Sequence, residues 1–227
     1  MTIAGLGGLV RGGVLALLAL SQLHTTGAAQ ELPASARLRA GAAVPLAPTM
    51  VLGGGEVLLD VTVGTDGGVS HIETLRATPP YTDLMTGAVQ AWRFDPAKGS
   101  VRGVLQTVDG HVLVAAVFRP PNIYPGPARG EATVVLGEPS AELPRLRSLE
   151  MPLTYPPRSV RDGTVLVEIE LTAAAVAREH RVMSPPSTFD SAALETVRGW
   201  RFDYPPEPTG APLFVYAVVG FREPVTP

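Results

Sequence analysis

A chain of 227 residues with 45% apolar and 17% charged side chains carries enough apolar surface for a packed core, which excludes global disorder. A formal charge of −3 leaves no electrostatic footprint for nucleic acid or an anionic lipid surface. Cysteine is absent, so disulfides, thiolate metal sites and cysteine nucleophiles are excluded too.

The first feature in chain order is an address. Arg11 precedes an apolar run at residues 14–20, and Gly27-Ala28-Ala29 offers small residues for cleavage. That order predicts a secretory signal over residues 1–29. A spanning helix needs about 20 apolar residues, and here the run breaks at Ser21-Gln22. The alternative is an uncleaved inner-membrane anchor that enlists the glycine-rich start.

Residues 30–54 are rich in Ala, Pro and Gly without a sustained period and read as a leader, with residues 44–52 a candidate cover for the first folded module. From residue 55 the pattern sharpens. Val57, Leu59, Val61 and Val63 alternate with Leu58, Asp60, Thr62 and Gly64, the period of a half-buried strand. Thr65-Asp66-Gly67-Gly68 supplies a tight hairpin turn, and a second strand runs over residues 69–75. After Pro79-Pro80, Thr82 is the expected N-cap of a helix whose apolar stripe is Met85, Ala88, Val89 and Trp92. Residues 104–118 read as a return strand or as a hairpin through Asp109-Gly110.

Residues 122–154 look like a proline-stiffened connector with one strand-like piece at 132–136. A second module then opens at Tyr155-Pro156-Pro157. Val165, Val167, Ile169 and Leu171 face one way, with Glu168 and Glu170 expected on the wet side. A strand at residues 177–183 comes next. Asp190 is expected to cap the second helix, Phe189 to staple onto Leu194, and Ala193, Val197 and Trp200 to form its buried stripe. The last strand is residues 213–221.

Both tryptophans sit in one tetrapeptide, Trp92-Arg93-Phe94-Asp95 and Trp200-Arg201-Phe202-Asp203, repeated 108 positions apart (92 to 200). The same offset places Gly55 on Gly163, Val57 on Val165 and Val89 on Val197. A folding unit has been duplicated. The predicted class is α+β: two tandem ββαβ modules, residues 55–121 and 155–224, each a small antiparallel sheet with one helix on one face. Trp92, Phe94, Trp200 and Phe202 are assigned to the core, where a buried Trp or Phe contributes about 2–3 kcal/mol.

The order of motifs from Tyr155 to Phe221 resembles the C-terminal domain of the energy transducer TonB: the Tyr-Pro opening, Gly163 before a valine-rich strand, Ser184 after the second strand, Asp190 at the helix start, Trp-Arg-Phe at its end, and Gly210-Ala211-Pro212 before the last strand. Residues 55–118 resemble the same domain more weakly. The resemblance implies a periplasmic, tandem TonB-like protein that binds an extended segment of an outer-membrane TonB-dependent transporter, or of another envelope protein, in energy-coupled transport. Strand addition at a sheet edge is the implied mode. Carried over by position, the peptide-binding surface is Tyr155, Pro156 and the last strand, Leu213, Phe214, Val215, Tyr216, Ala217, Val218 and Val219.

The alternative is a soluble scaffold whose modules pair with each other or with a second chain through their edges, which would block that surface. Chemistry is poorly supported. His24, His71, His111 and His180 lack metal-ligand spacing. Glu168 and Glu170 share a strand without the marks of an acid/base pair, and Ser100 lies in no nucleophile elbow. Gly53-Gly54-Gly55 precedes a strand, not a phosphate-binding helix. No enzyme, metal site, cofactor or nucleic-acid partner is expected.

Overall fold

The last strand of each repeat is apolar on both faces, and that sets the architecture. Residues 110–118 (GHVLVAAVF) and 213–221 (LFVYAVVGF) bury nearly every side chain. A strand of that kind needs cover above and below and a neighbour on each side. A small module of three strands and one helix supplies only half of that. The computed structural model describes residues 32–39, 42–49, 51, 53–120, 133–150, 155–157, 159–171, 177–205 and 211–224, all within one unit, Glu31–Pro227. The expected signal, residues 1–29, lies outside the described residues. Among those described, no helix is long and apolar enough to cross a membrane.

The elements are β1 (Arg37–Leu38), β2 (Gly55–Val63), β3 (Val69–Ala77), α1 (Tyr81–Gln90), β4 (Phe94–Asp95), β5 (Ala97–Val101), β6 (Val104–Val108), β7 (Gly110–Phe118), β8 (Val134–Val135), β9 (Arg145–Ser148), β10 (Gly163–Leu171), β11 (Ala177–Val182), α2 (Asp190–Arg198), β12 (Arg201–Asp203) and β13 (Leu213–Phe221). Seven strands form one mixed sheet in the order β11-β10-β13-β7-β2-β3-β8. This corrects the expectation of two small separate sheets. β7 and β13 pair in parallel from Leu113↔Val215 to Phe118↔Gly220, while every other neighbour in the sheet is antiparallel. Each repeat therefore completes the other through its last strand.

The helices lie on opposite faces. α1 packs with Val57, Leu59, Val61 and Val63 of β2 and with Val112, Val114 and Ala116 of β7, in a core that extends to Leu166, Tyr216 and Val218 of the second repeat. α2 packs with Val165, Val167 and Ile169 of β10 and Val215, Ala217 and Val219 of β13, in a core that reaches Leu58, Leu113 and Ala115 of the first. Period-two alternation makes this possible, because adjacent residues of β7 and β13 feed different cores.

The tetrapeptides make corresponding contacts, although Phe94 is fully buried against Tyr216 and Phe202, expected in the core, is only half-buried. Trp92 Nε1 donates to the Ala43 carbonyl at 2.8 Å and Trp200 Nε1 to the Glu150 carbonyl at 3.1 Å. Phe94 pairs with Leu38 and Phe202 with Leu146. Arg39–Asp95 and Arg147–Asp203 form corresponding ion pairs at 2.8 and 2.7 Å. Gly55 and Gly163 each lie directly beneath the first aromatic ring of their repeat's helical segment, Tyr81 and Phe189, which stack on Phe118 and Phe221.

Several local expectations change. Residues 97–108 form a hairpin, β5–β6, that turns at Arg102-Gly103, both at positive φ, and not at Asp109-Gly110. The leader contributes β1 and the connector β9, beside the β8 that falls within the strand-like piece expected at 132–136. Thr82 is not an N-cap; its hydroxyl accepts from the Thr78 N–H at 2.8 Å. Asp190 is the first helical residue, its carboxylate bonded to the Ser187 N–H and hydroxyl, and the Phe189 ring is occupied by Gly163, Tyr155 and Phe221.

Candidate binding site

Tyr155 and Pro156 form a lock at the start of the second repeat. The Tyr155 hydroxyl donates to the Arg161 carbonyl at 2.7 Å and accepts from its N–H at 3.1 Å, and its ring meets Phe189 edge-on. Pro156 is buried. The rest of the expected peptide surface, Leu213–Val219, lies in β13: β10 pairs with all of it, and β7 pairs with the other edge from Val215 onward. Tyr155 and β13 thus build the fold, and from Val215 to Gly220 β13 has no edge to offer. The sequence shows β13 as apolar but not which strand lies beside it.

The sheet ends elsewhere. β11 is one rim. The other is β3, which β8 covers at Arg76 and Ala77; the Leu136 and Gly137 N–H groups reach the Leu75 carbonyl and the Gln90 amide the Val69 carbonyl, and among the described residues no strand lies beside Val69–Thr74. Bulges at Ser70 and Leu75 bound the regular stretch His71–Thr74.

Two buried carboxylates occupy equivalent places in the repeats, Asp60 on β2 and Glu168 on β10, and each is 3% exposed. Glu168 is therefore not on a wet face. The Arg37 guanidinium grips it from the leader at 2.7 and 3.2 Å, Arg181 stands 3.1 Å away, and the Tyr216 hydroxyl donates to it at 3.3 Å. That same hydroxyl accepts the Leu38 N–H at 2.7 Å, and Arg37 lies 4.8 Å over the Phe214 ring. Hydrogen bonding to Glu168 raises the Arg37 pKa, and burial raises that of Tyr216. A buried charge requires such partners. The result is that the leader is tied across both repeats. Further along it, the Arg222 guanidinium donates to the Pro48, Thr49 and Val51 carbonyls at 2.8–3.1 Å and pairs with Asp162 at 3.0 Å.

Asp60 is held differently. One oxygen takes the His111 ring at Nδ1, 2.8 Å away, and the other accepts the Ser140 N–H at 2.9 Å. The hydrogen bond to Asp60 raises the His111 pKa above 6.5, against the opposing effect of partial burial. His111 also lines a cavity of about 360 Å³ bounded by the leader, the base of the β5–β6 hairpin, the connector at Glu142-Leu143 and the start of β13. His180, by contrast, buries Nε2 without a hydrogen-bond partner, and burial and Arg198 lower its pKa. His71 is exposed on β3. Among the described residues, no three His, Asp or Glu side chains converge as a metal-binding group.

Two signals for these contacts stand in the sequence. Arg37-Leu38-Arg39 recurs as Arg145-Leu146-Arg147 at the same offset of 108, which marks the strand before each module (37 to 145). Asp60 and Glu168 share that offset (60 to 168). No family model, curated protein or solved structure matches this chain.

Proposed function

We propose that the chain is an exported, non-catalytic envelope protein whose two fused repeats hold an extended segment of a partner protein by strand addition on the outer edge of β3. The observation that carries this is β8: a two-residue extended piece of the connector already pairs antiparallel with Arg76 and Ala77, and among the described residues no strand lies beside the stretch Val69–Thr74. Unpaired edge N–H and C=O groups accept an extended chain, whereas a rim dense in charge resists one. β11 has the sequence AREHRV, with four successive polar residues, while β3 intersperses Val69, Ile72 and Leu75 among its polar ones. An outer-membrane transporter is the partner class that the TonB resemblance suggests, and the periplasm is the compartment that goes with the signal.

Titration of the isotope-labelled mature chain with TonB-box-like peptides tests the proposal. The expected amide shifts fall on residues 69–75. Shifts confined to β11 or β13, or none at millimolar peptide, overturn it. A second reading, a scaffold with no extended-segment partner, is favoured by the β7–β13 pairing, which uses the inner edges of both repeats. It predicts the no-shift outcome with the fold intact.

A further inference from the structure

We infer that the cavity beside the Asp60–His111 pair binds an apolar aminoacyl group: a primary ammonium next to a carbonyl, on an aliphatic or aromatic residue. The volume of about 360 Å³ lies near the small end of ligand sites, which run from about 300 to 1,000 Å³, and suits one residue-sized group. Ala36, Ala97, Leu143, Leu213 and Phe214 are buried and line it, so the body of the ligand is apolar.

The polar lining narrows the class. Asp60 occupies Nδ1 of His111 and His111 lines the cavity, so the opposite ring nitrogen, Nε2, is the one assigned to the ligand. As an imidazolium, His111 donates there, and a carbonyl answers it. Asp109 and Glu142 are exposed members of the same lining, and their carboxylates favour an ammonium. An aminoacyl group offers its carbonyl to the His111 ring and its ammonium to the two carboxylates. Free amino-acid derivatives carry that chemistry, and so does the amino terminus of a polypeptide, whose capture is a recurring recognition mode. The site is separate from the β3 edge and does not depend on strand addition there.

Calorimetric titration of the mature chain at one fixed pH uses four probes: leucinamide, the tripeptide Leu-Ala-Ala, N-acetylleucinamide and isocaproate. Leucinamide and the tripeptide are expected to bind, with resonances of residues 97–111 shifting and those of 69–75 still. The other two probes are expected to bind at least about tenfold more weakly. A tighter tripeptide assigns the source as a polypeptide terminus, and tighter leucinamide assigns it as a free compound. Asp109→Asn and Glu142→Gln, both at exposed positions that spare the core, are each expected to weaken leucinamide about two- to fivefold. Equal binding of N-acetylleucinamide, indifference to both acid variants, or no binding of any probe at about 10 mM overturns the assignment.

Discussion

Gly163→Ala adds one methyl group to the first residue of β10. A Cβ at that position overlaps Cε2 and Cδ2 of Phe189 and stands 2.8 Å from Cζ. The ring has little room to withdraw, because Phe221 stacks on it at 5.1 Å and Tyr155 meets it edge-on at 5.8 Å. Overpacking of a filled core costs about 1–3 kcal/mol. Alanine returns about 0.5–1 kcal/mol through its lower backbone entropy in a strand. The balance is a destabilisation centred on about 1 kcal/mol and reaching about 2.5 kcal/mol, or some 2–4 °C in Tm per kcal/mol for a chain of this size. Gly55→Ala beneath Tyr81 is expected to match it, since that Cβ stands 2.8 Å from Tyr81 Cε2 and the ring is stacked on Phe118. Gly87→Ala is the control: on α1 its Cβ meets nothing within 4 Å, so it is expected to stabilise by about 0.5–1 kcal/mol. Urea denaturation of the three variants gives the signs. Removing the ring in a Gly163→Ala/Phe189→Ala double mutant is expected to abolish the penalty, giving a coupling of about 1–3 kcal/mol. If Gly163→Ala stabilises the chain as Gly87→Ala does, the packing of ring on glycine is refuted.

Three further outcomes rest on the same contacts. Trp92→Phe and Trp200→Phe each remove one indole donor and leave the Ala43 or Glu150 carbonyl unanswered, an expected loss of about 1–3 kcal/mol in each; a large effect at one site and none at the other in denaturation curves would contradict the equivalence of the repeats. His111 has its pKa raised in the folded state, so its stabilising contribution is complete below about 6.5 and is lost as pH rises through the folded value. The stability difference between the wild type and His111→Gln, measured from pH 5 to 9, is therefore expected to shrink upward; taking the difference removes His180, whose lowered pKa makes its contribution decline as pH falls instead. Arg222→Met is expected to cost about 2–3 kcal/mol by freeing the Pro48, Thr49 and Val51 carbonyls, and to raise proteolysis within the leader.

Alternation makes β2 and β10 legible in the sequence, and Gly67 at positive φ marks the β2–β3 hairpin as the Asp-Gly pair suggests. The buried stripes of both helices are read from residues such as Met85, Val89, Ala193 and Val197 at helical spacing. What period and propensity do not carry is the pairing of β7 with β13. Their alternation is masked, because Val114 and Ala115, or Tyr216 and Ala217, are neighbours in sequence yet serve different cores. A strand buried on both faces gives a continuous apolar run, and such a run does not name its partner. Glu168 and Asp60 mislead for the related reason that an acid in a strand normally faces water. Here the leader and the connector cover those faces, and the ties, Arg37 and the Ser140 N–H, come from 131 and 80 residues away.

Amide hydrogen exchange along β13 tests the joining of the repeats most directly. With β10 on one side and β7 on the other, every amide from Val215 to Gly220 is expected to be protected to nearly the full stability of the fold. Were the repeats two separate modules with β13 at the rim, alternate amides along it would exchange quickly, and that pattern would contradict the seven-stranded sheet.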